Sequence, residues 1–178
     1  LLILIKLNVC NMNDKIISFS LVEAANGNWN KINPEYISSS LKIDLKVVIE
    51  LFPNREEVLD AYINTIDDKT LNSLNEEDIK GSSSREILLE LLMARLDYMQ
   101  ENKFALINIT NYSINNPKSL VKALQRLKAS MLKIVELADN GSNRIKKIIT
   151  SKTICVIWLM AFNKWLYSSD GNSAAHAI

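Results

Sequence analysis

The chain has 178 residues, of which 48% are hydrophobic and 23% charged, and its formal net charge is +1. This length is enough for a single domain with a real core, and the near-neutral charge excludes a chain that is basic throughout, so any nucleic-acid surface would have to be local. The single His176 and the distant Cys10 and Cys155 offer no metal-ligand spacing.

The first residues read LLILIKLNVCN, and the first Met is Met12. The apolar run is much shorter than the roughly 20 residues that span a bilayer, and it lacks the features of a signal peptide. We therefore expect the natural chain to begin at Met12. Residues 1–11 and the polar tail 171–178 are expected to be disordered or non-native.

Helical signals dominate the first half of the chain. A short amphipathic helix is predicted over 14–25, and Asn33-Pro34 begins a second helix that reaches Leu41. A third helix runs from about Asp44 to Leu51 and stops before Pro53. Asn54 then caps a fourth helix, with Glu57 three residues later as in a capping box. The segment 34–52 thus predicts two short helices joined by a tight turn.

The second half continues the helical pattern. Ser84 is predicted to cap a helix that ends near Met99, and a further helix covers 103–114. A long amphipathic helix begins at Lys118, and DNGS at 139–142 ends it. The last helix runs from about Arg144 to Tyr167. With no strand pattern and no repeat, the sequence predicts an all-α fold of eight or nine helices.

Catalytic chemistry has no support in the sequence. The glycines do not form a phosphate-binding loop, and no nucleophile has an activating base, since the single His lies in the tail. Acidic pairs such as Glu56-Glu57 fit solvated charges at helix N-termini. We expect no enzymatic activity, no catalytic residues, no metal and no cofactor.

The segment 34–52 resembles the DNA-binding end of the TetR family of bacterial regulators. Matching positions include Ile37-Ser38, Leu41-Lys42-Ile43, Asp44, Ile49, Phe52-Pro53, Arg55 and Val58. The resemblance implies a TetR-like helical bundle with an N-terminal helix-turn-helix. Lys42, however, stands at the family's turn glycine, and Ile49 stands at its phosphate-contacting tyrosine, so the helix-turn-helix is degenerate.

Charge argues against DNA as the ligand of this segment. The charged residues from Pro34 to Phe52 sum to −1, and the third helix has no Arg, Asn or Gln for bidentate base contacts. If the chain is nevertheless a TetR-family regulator that binds DNA through residues 34–52, the contacting residues would be Lys42, Lys46 and Arg55.

The chain also resembles the Coq-nine type of ubiquinone biosynthesis accessory proteins, which are TetR-shaped lipid binders. The resemblance rests on the order and spacing of Leu51-Phe52-Pro53, Arg95-Leu96, Pro117, Asp139-Asn140-Gly141-Ser142, Trp158, Trp165-Leu166 and Asp170. It implies a protein that presents a prenylated quinone precursor to a modifying enzyme. The family's Trp-Tyr, part of a partner-binding patch, falls on Lys147-Ile148 and is not matched.

The run from Ile154 to Phe162 is apolar on all sides, so it must be enclosed by protein, a partner or lipid. The aromatic stripe within the last helix fits a protein core or a dimer interface as well as a lipid site. The candidate lipid-binding residues are Leu92, Leu96, Met99, Leu124, Leu127, Met131, Ile154, Trp158, Phe162 and Trp165.

Two regions follow from these patterns: a helix-turn-helix-like subdomain over 12–66, and a compact helical region over 67–170 for lipid binding and dimerisation. The expected partners are an isoprenoid lipid or quinone precursor, a ubiquinone-pathway hydroxylase and a second copy of the chain. Location is expected in the cytoplasm, with transient peripheral contact at the inner membrane. A DNA-binding regulator and a helical scaffold with neither activity remain the alternatives.

Overall fold

The computed structural model describes residues 2–139 and 141–168, and the predicted disordered tail 171–178 lies outside the described residues. The described chain is helical and has no strand, which confirms the predicted all-α class. The α-helices are α1 (Leu2–Ala25), α2 (Pro34–Leu41), α3 (Leu45–Leu51), α4 (Arg55–Leu71), α5 (Glu76–Gly81), α6 (Ser84–Met99), α7 (Lys103–Ile114), α8 (Pro117–Ala138) and α9 (Arg144–Leu166). Short 3-10 turns cover Trp29–Lys31 and Gln100–Asn102.

The described residues form two compact units. Unit 1 comprises residues 2–68 and 99–126, and unit 2 comprises 69–98, 127–139 and 141–168. The first change of unit lies close to the boundary at 66/67 expected from the sequence. Residues 99–126, which the sequence placed in the C-terminal region, belong to unit 1 because α7 packs against α1.

Unit 1 is built around the contact between α1 and α7. Ile16 and Ala24 of α1 and Ile109 of α7 are buried. The amide of Asn108 donates hydrogen bonds to the carbonyl oxygens of Ala24 and Ala25, at 2.9 and 3.1 Å. The turn after α1 is closed by its own backbone, because the N–H of Gly27 also donates to the carbonyl of Ala24, at 3.0 Å. The bonds from Asn108 therefore tie α7 to the end of α1.

Local hydrogen bonds determine the ends of α2, α3 and α4. The side chain of Asn33 accepts from the N–H of Tyr36 with Pro34 in the first position, and Asp44 accepts from the N–H of Lys46. Asn54 accepts from the N–H groups of both Glu56 and Glu57. Each is a side-chain oxygen that satisfies orphan donors in a first helical turn. The predicted starts of these helices are therefore confirmed.

The core of unit 2 brings α6, α8 and α9 together. Its buried apolar residues are Ile87, Leu91, Met131, Ile134, Val135, Ala138, Trp158 and Leu166. On α8 the residues Met131, Ile134 and Ala138 follow each other at steps of three and four, so they share one face of the helix. The apolar stripe predicted for this helix is thus buried over its C-terminal half, whereas Leu124 in its first half is exposed.

Three features of the chain differ from the sequence expectation. Helix α1 already begins at Leu2, so residues 2–11 continue a helix where disorder was expected; the stretch contains neither Gly nor Pro to interrupt it. Helix α5 was not predicted, although Asn75 and Asp78 form a full capping box at its start. Ser83 rather than Ser84 caps α6, by exchanging hydrogen bonds with Glu86.

Candidate functional site

The turn between α2 and α3 has the helix-turn-helix form. Lys42, at the position of the family's turn glycine, has a left-handed backbone with φ 55° and ψ 44°. The N–H of Ile43 donates to the carbonyl of Ser38 at 3.2 Å, and the Ser38 hydroxyl donates to the carbonyl of Ile43 at 2.7 Å. This reciprocal pair ties the first residue after the turn back to α2 and holds α3 in place.

The outward surface of α3 is apolar and carries one cation. Leu45 and Ile49 are exposed, and the exposed charged residues are Lys46 and Glu50. Leucine and isoleucine side chains cannot donate hydrogen bonds to base edges or phosphates. The geometry of a recognition helix is therefore present, with Lys46 as the one exposed cationic donor of α3.

Arg55, the third candidate DNA contact, is engaged by protein groups within unit 1. Its Nη1 donates to the carbonyl oxygen of Trp29 at 3.2 Å, and its guanidinium carbon lies 5.2 Å from the centroid of the Tyr112 ring. The other two candidate cations, Lys42 at the turn and Lys46 on α3, are both exposed.

The ten candidate lipid-binding residues fall in both units. Met99 is buried and Leu124 is exposed, and both belong to unit 1. The other eight lie in unit 2, where Met131 and Trp158 are buried and the remaining six are half-buried, namely Leu92, Leu96, Leu127, Ile154, Phe162 and Trp165. Half-buried apolar side chains beside a buried core form the kind of surface against which an apolar ligand can pack.

An aromatic stack runs along the inward face of α9. The ring centroids of Trp158 and Phe162 are 5.9 Å apart, and those of Phe162 and Trp165 are 5.6 Å apart, with both pairs stacked. The stripe predicted at steps of four and three is thus one continuous surface within unit 2.

Arg95 is a buried cation beside this stack, and sequence reasoning did not include it among the site residues. Its guanidinium carbon lies 5.4 Å from the centroid of the Trp158 ring, and Nη2 donates to the hydroxyl of Ser130 at 3.3 Å. Only 2% of Arg95 is exposed. The signal was available, because Leu91, Arg95 and Met99 follow each other at steps of four and must share one face of α6.

The outward face of α9 is both apolar and basic. Ile145 and Met160 are each 71% exposed, and Ile149 and Val156 lie exposed along the same face. Every charged residue of the helix is a cation: Arg144, Lys146, Lys147, Lys152 and Lys164. Of these, Lys146, Lys152 and Lys164 are exposed and flank the apolar residues by helical spacing. We name this surface, with its four apolar residues and these three lysines, the outer face of α9.

An ion-pair network lies at the start of α4 in unit 1. Arg126 donates to Glu56 Oε2 at 2.6 Å and also to Asp60, and the hydroxyl of Ser119 donates to Glu56 Oε1 at 2.8 Å. Burial lowers the pKa of Arg126, but its hydrogen bonds with Asp60 and Glu56 outweigh burial and raise that pKa overall. Arg126 therefore holds α8 to α4 as a permanent charge.

A cleft of about 640 Å³ opens beside this network, within unit 1. Its walls come from the start of α4, the end of α7 and the start of α8, and its residues are Asn54, Arg55, Glu56, Tyr112, Asn116, Pro117, Lys118, Ser119 and Lys122. Three cations face one carboxylate here, and that carboxylate is the one already bound by Arg126.

Comparison with known proteins places the fold. No protein-family model matches the chain, and no curated protein matches it. Among solved structures, the TetR transcriptional regulator from Nitrosomonas europaea ATCC 19718 is similar, with a TM-score of 0.73 and 19% sequence identity. The match covers 91% of this chain and 89% of that chain. The chain therefore has a TetR-like fold, as predicted.

Within the described part of the chain, no helix combines the length and the apolarity that crossing a bilayer requires.

Proposed function

We propose that this chain is a lipid-binding accessory protein that presents a prenylated quinone precursor to a modifying enzyme. The observation that carries the proposal is α9, whose inward face is an aromatic stack and whose outer face joins exposed apolar residues to cations alone. The resemblance to the Coq-nine type of accessory protein supports the same role. The proposed role is one of binding and transfer, without a catalytic step.

Apolar binding can supply the affinity that such a carrier needs. Burial of isoprenoid carbon contributes about 0.8 kcal/mol per methylene, so a prenyl tail can be held without dedicated polar contacts. Leu92, Leu96 and Ile154 supply half-buried aliphatic surface in unit 2, beside the Trp158 stack. We infer that the prenyl tail is covered by these side chains.

Uptake of a prenylated quinone by delipidated full-length protein tests the proposal. We expect saturable quenching of tryptophan fluorescence, and no saturable quenching by the same quinone ring without its tail. Leu96→Gln should weaken binding about tenfold, because it places an amide on the apolar surface. Leu89→Gln, at an exposed position of the same helix, is the matched control and should bind like the parent chain. Absence of saturable quenching with the parent chain would refute the proposal.

The outer face of α9 supports transient contact with an anionic membrane surface. Exposed aliphatic residues interleaved with lysines are typical of helices that lie in the headgroup region, where apolar burial and charge attraction add. Flotation with anionic vesicles tests this contact. Ile149→Glu with Met160→Glu should abolish flotation, whereas Val22→Glu with Ile114→Glu, also exposed but in unit 1, should leave it intact. Equal loss in both double variants would contradict the assignment.

A homodimer and a ubiquinone-pathway hydroxylase complete the proposed set of partners. A second copy would place the same cations opposite the outer face of α9, which disfavours pairing through that face alone. We therefore expect a dimer whose interface includes the outer face of α9 to dissociate more readily at low salt. Repulsion between the two sets of cations is least screened there. Sedimentation across a salt series measures this, and a dimer that tightens at low salt would contradict it.

The TetR-like fold supports DNA binding as a second candidate function. The solved structure that matches 91% of this chain is that of a TetR transcriptional regulator. This candidate predicts a mobility shift with duplex DNA at moderate salt that weakens in Lys46→Ala. The exposed Leu45, Ile49 and Glu50 of α3 favour the opposite result. We expect no shift above that of a non-specific duplex.

A further inference from the structure

We propose that the cleft between the start of α4 and the corner of α7 and α8 binds a phosphate group of a small molecule. It goes beyond the lipid-binding role, because the cleft lies in unit 1 and the stack of α9 lies in unit 2. Its volume of about 640 Å³ lies within the range of small-molecule sites.

The charge of the cleft favours an anion. Arg55, Lys118 and Lys122 line it, and the one acidic lining residue is Glu56. Glu56 is paired with Arg126, which does not line the cleft and also pairs with Asp60. Counted together, Arg126 and the three lining cations face two carboxylates, Glu56 and Asp60. The three cations therefore retain an excess of positive charge toward the cleft.

Lys118 and Lys122 stand where lysine is electrostatically unfavourable. They lie four residues apart, so they share one face of α8, and like charges at this spacing repel. They also lie in the first turns of the helix, at the positive end of its dipole, where no acidic residue offsets them. Neither lysine forms an ion pair with a described residue. An anion in the cleft would relieve both repulsions.

Arg55 is positioned in advance for such a ligand. The Trp29 carbonyl and the Tyr112 ring fix its guanidinium, and they engage only one of its five N–H donors. A guanidinium held in one orientation loses little freedom on binding, and its planar donors match two oxygens of a phosphate. The side-chain amide of Asn116 leaves the cleft open, because it donates a hydrogen bond to the carbonyl oxygen of Tyr112 at 2.7 Å.

Isothermal titration of the full chain with inorganic pyrophosphate at low salt tests the site. We expect saturable binding that weakens at least about tenfold in the double variant Lys118→Gln with Lys122→Gln. Both lysines are exposed, so the double variant should fold. The matched control is Lys152→Gln with Lys164→Gln, which removes two exposed lysines outside the cleft and should change affinity less than about twofold. Arg55→Lys should also weaken binding, because lysine keeps the positive charge but lacks the planar guanidinium that can donate two parallel hydrogen bonds to a phosphate.

The phosphate could belong to a soluble ester or to a phospholipid headgroup. Vesicles of phosphatidylcholine with and without phosphatidic acid separate these sources. Pyrophosphate binding lost in the cleft double variant supports a soluble ligand, and binding only to phosphatidic acid vesicles, lost in the same variant, supports the headgroup. No saturable binding in either arm, or equal loss in the control double variant, would overturn the site. Neither outcome bears on uptake of a prenylated quinone by unit 2.

Discussion

Lys42 carries the one left-handed backbone among the described non-glycine residues, at the turn between α2 and α3. An L side chain in this conformation costs roughly 1–2 kcal/mol, and glycine adopts it freely. In the resemblance to the TetR family, Lys42 stands at the turn glycine. The structure gives the physical reason for that glycine and shows that this chain tolerates the strain.

Replacement of Lys42 by glycine should therefore stabilise the protein. We expect the free energy of unfolding to rise by about 0.5–1 kcal/mol, the relief of strain less the greater freedom of glycine in the unfolded chain. Urea unfolding measures the change. Lys42→Ala is the control, because it removes the same charge and keeps a Cβ atom, and it should give no such gain. A loss of stability in Lys42→Gly would show that the turn is not strained.

Arg126 should be the most sensitive charged residue of unit 1. Its side chain is 11% exposed and compensates Glu56 and Asp60, so Arg126→Met leaves two carboxylates close together. Since Asp60 is partly solvated, we expect a loss of about 2 kcal/mol, which is below the range for fully buried pairs. Lys128→Met, at an exposed position two residues along α8, should change stability by less than about 0.5 kcal/mol. Similar effects of the two variants in urea unfolding would contradict the network.

The contribution of the α6 cap to the stability of the fold should depend on pH. Hydrogen bonds from the side chain and backbone of Ser83 lower the pKa of Glu86 below its ordinary value of 4.5. Because the folded-state pKa is the lower one, the contribution is complete above about pH 4.5 and is lost as pH falls through the folded-state pKa. Ser83→Ala should thus be less stable than the parent chain at neutral pH, and the difference should shrink in acid. Ser84→Ala should show no such pH-dependent difference.

At the scale of elements, α9 has two faces of different use. Trp158 is 4% exposed and touches Phe162 and Arg95, whereas Met160, two residues along, points outward. Trp158→Ala should cost about 3–5 kcal/mol of unfolding free energy, and Met160→Ala less than about 0.5 kcal/mol. Chemical denaturation measures both. A larger cost at Met160 would mean that the inward face has been assigned to the wrong side of the helix.

Helix ends were predictable where one side chain decides them. Asn33, Asp44 and Asn54 each satisfy orphan donors of their own first turn, so three or four residues of sequence contain the whole interaction. The same signal was present at α5, where Asn75 and Asp78 form a capping box, but a helix of six residues leaves little apolar pattern to find. At α6, adjacent serines offered the same chemistry, and only geometry selects Ser83.

Side-chain partners far apart in sequence were not predictable. Arg55 meets Tyr112 and Trp29, and Arg126 meets Glu56, through contacts that exist only once α7 and α8 are placed beside α4. The cleft depends on all of these contacts together. Helical spacing predicted the lipid-binding candidates, and spacing identifies which residues share one face of a helix. It does not identify the unit to which each part of the helix belongs. Met99 and Leu124 of unit 1 were therefore predicted together with residues of unit 2.

For the whole molecule, the TetR-like architecture and the chemistry of its surface point in different directions. The helix-turn-helix form is determined by caps, a turn and an apolar skeleton, and these are local features that a chain can keep without binding DNA. DNA affinity depends on cations and donors directed at phosphates and bases. The exposed surface of α3 holds Leu45, Ile49 and Glu50 beside the single cation Lys46, while further cations lie on α9 and around the cleft.

The most direct test of the proposed function is mass spectrometry of an organic extract of the full-length protein, purified from a quinone-producing bacterium. We expect an isoprenoid quinone or prenylated precursor in an amount comparable to the protein, and much less of it from Leu96→Gln. An extract of the parent chain that contains no isoprenoid lipid would contradict the proposed lipid-binding role.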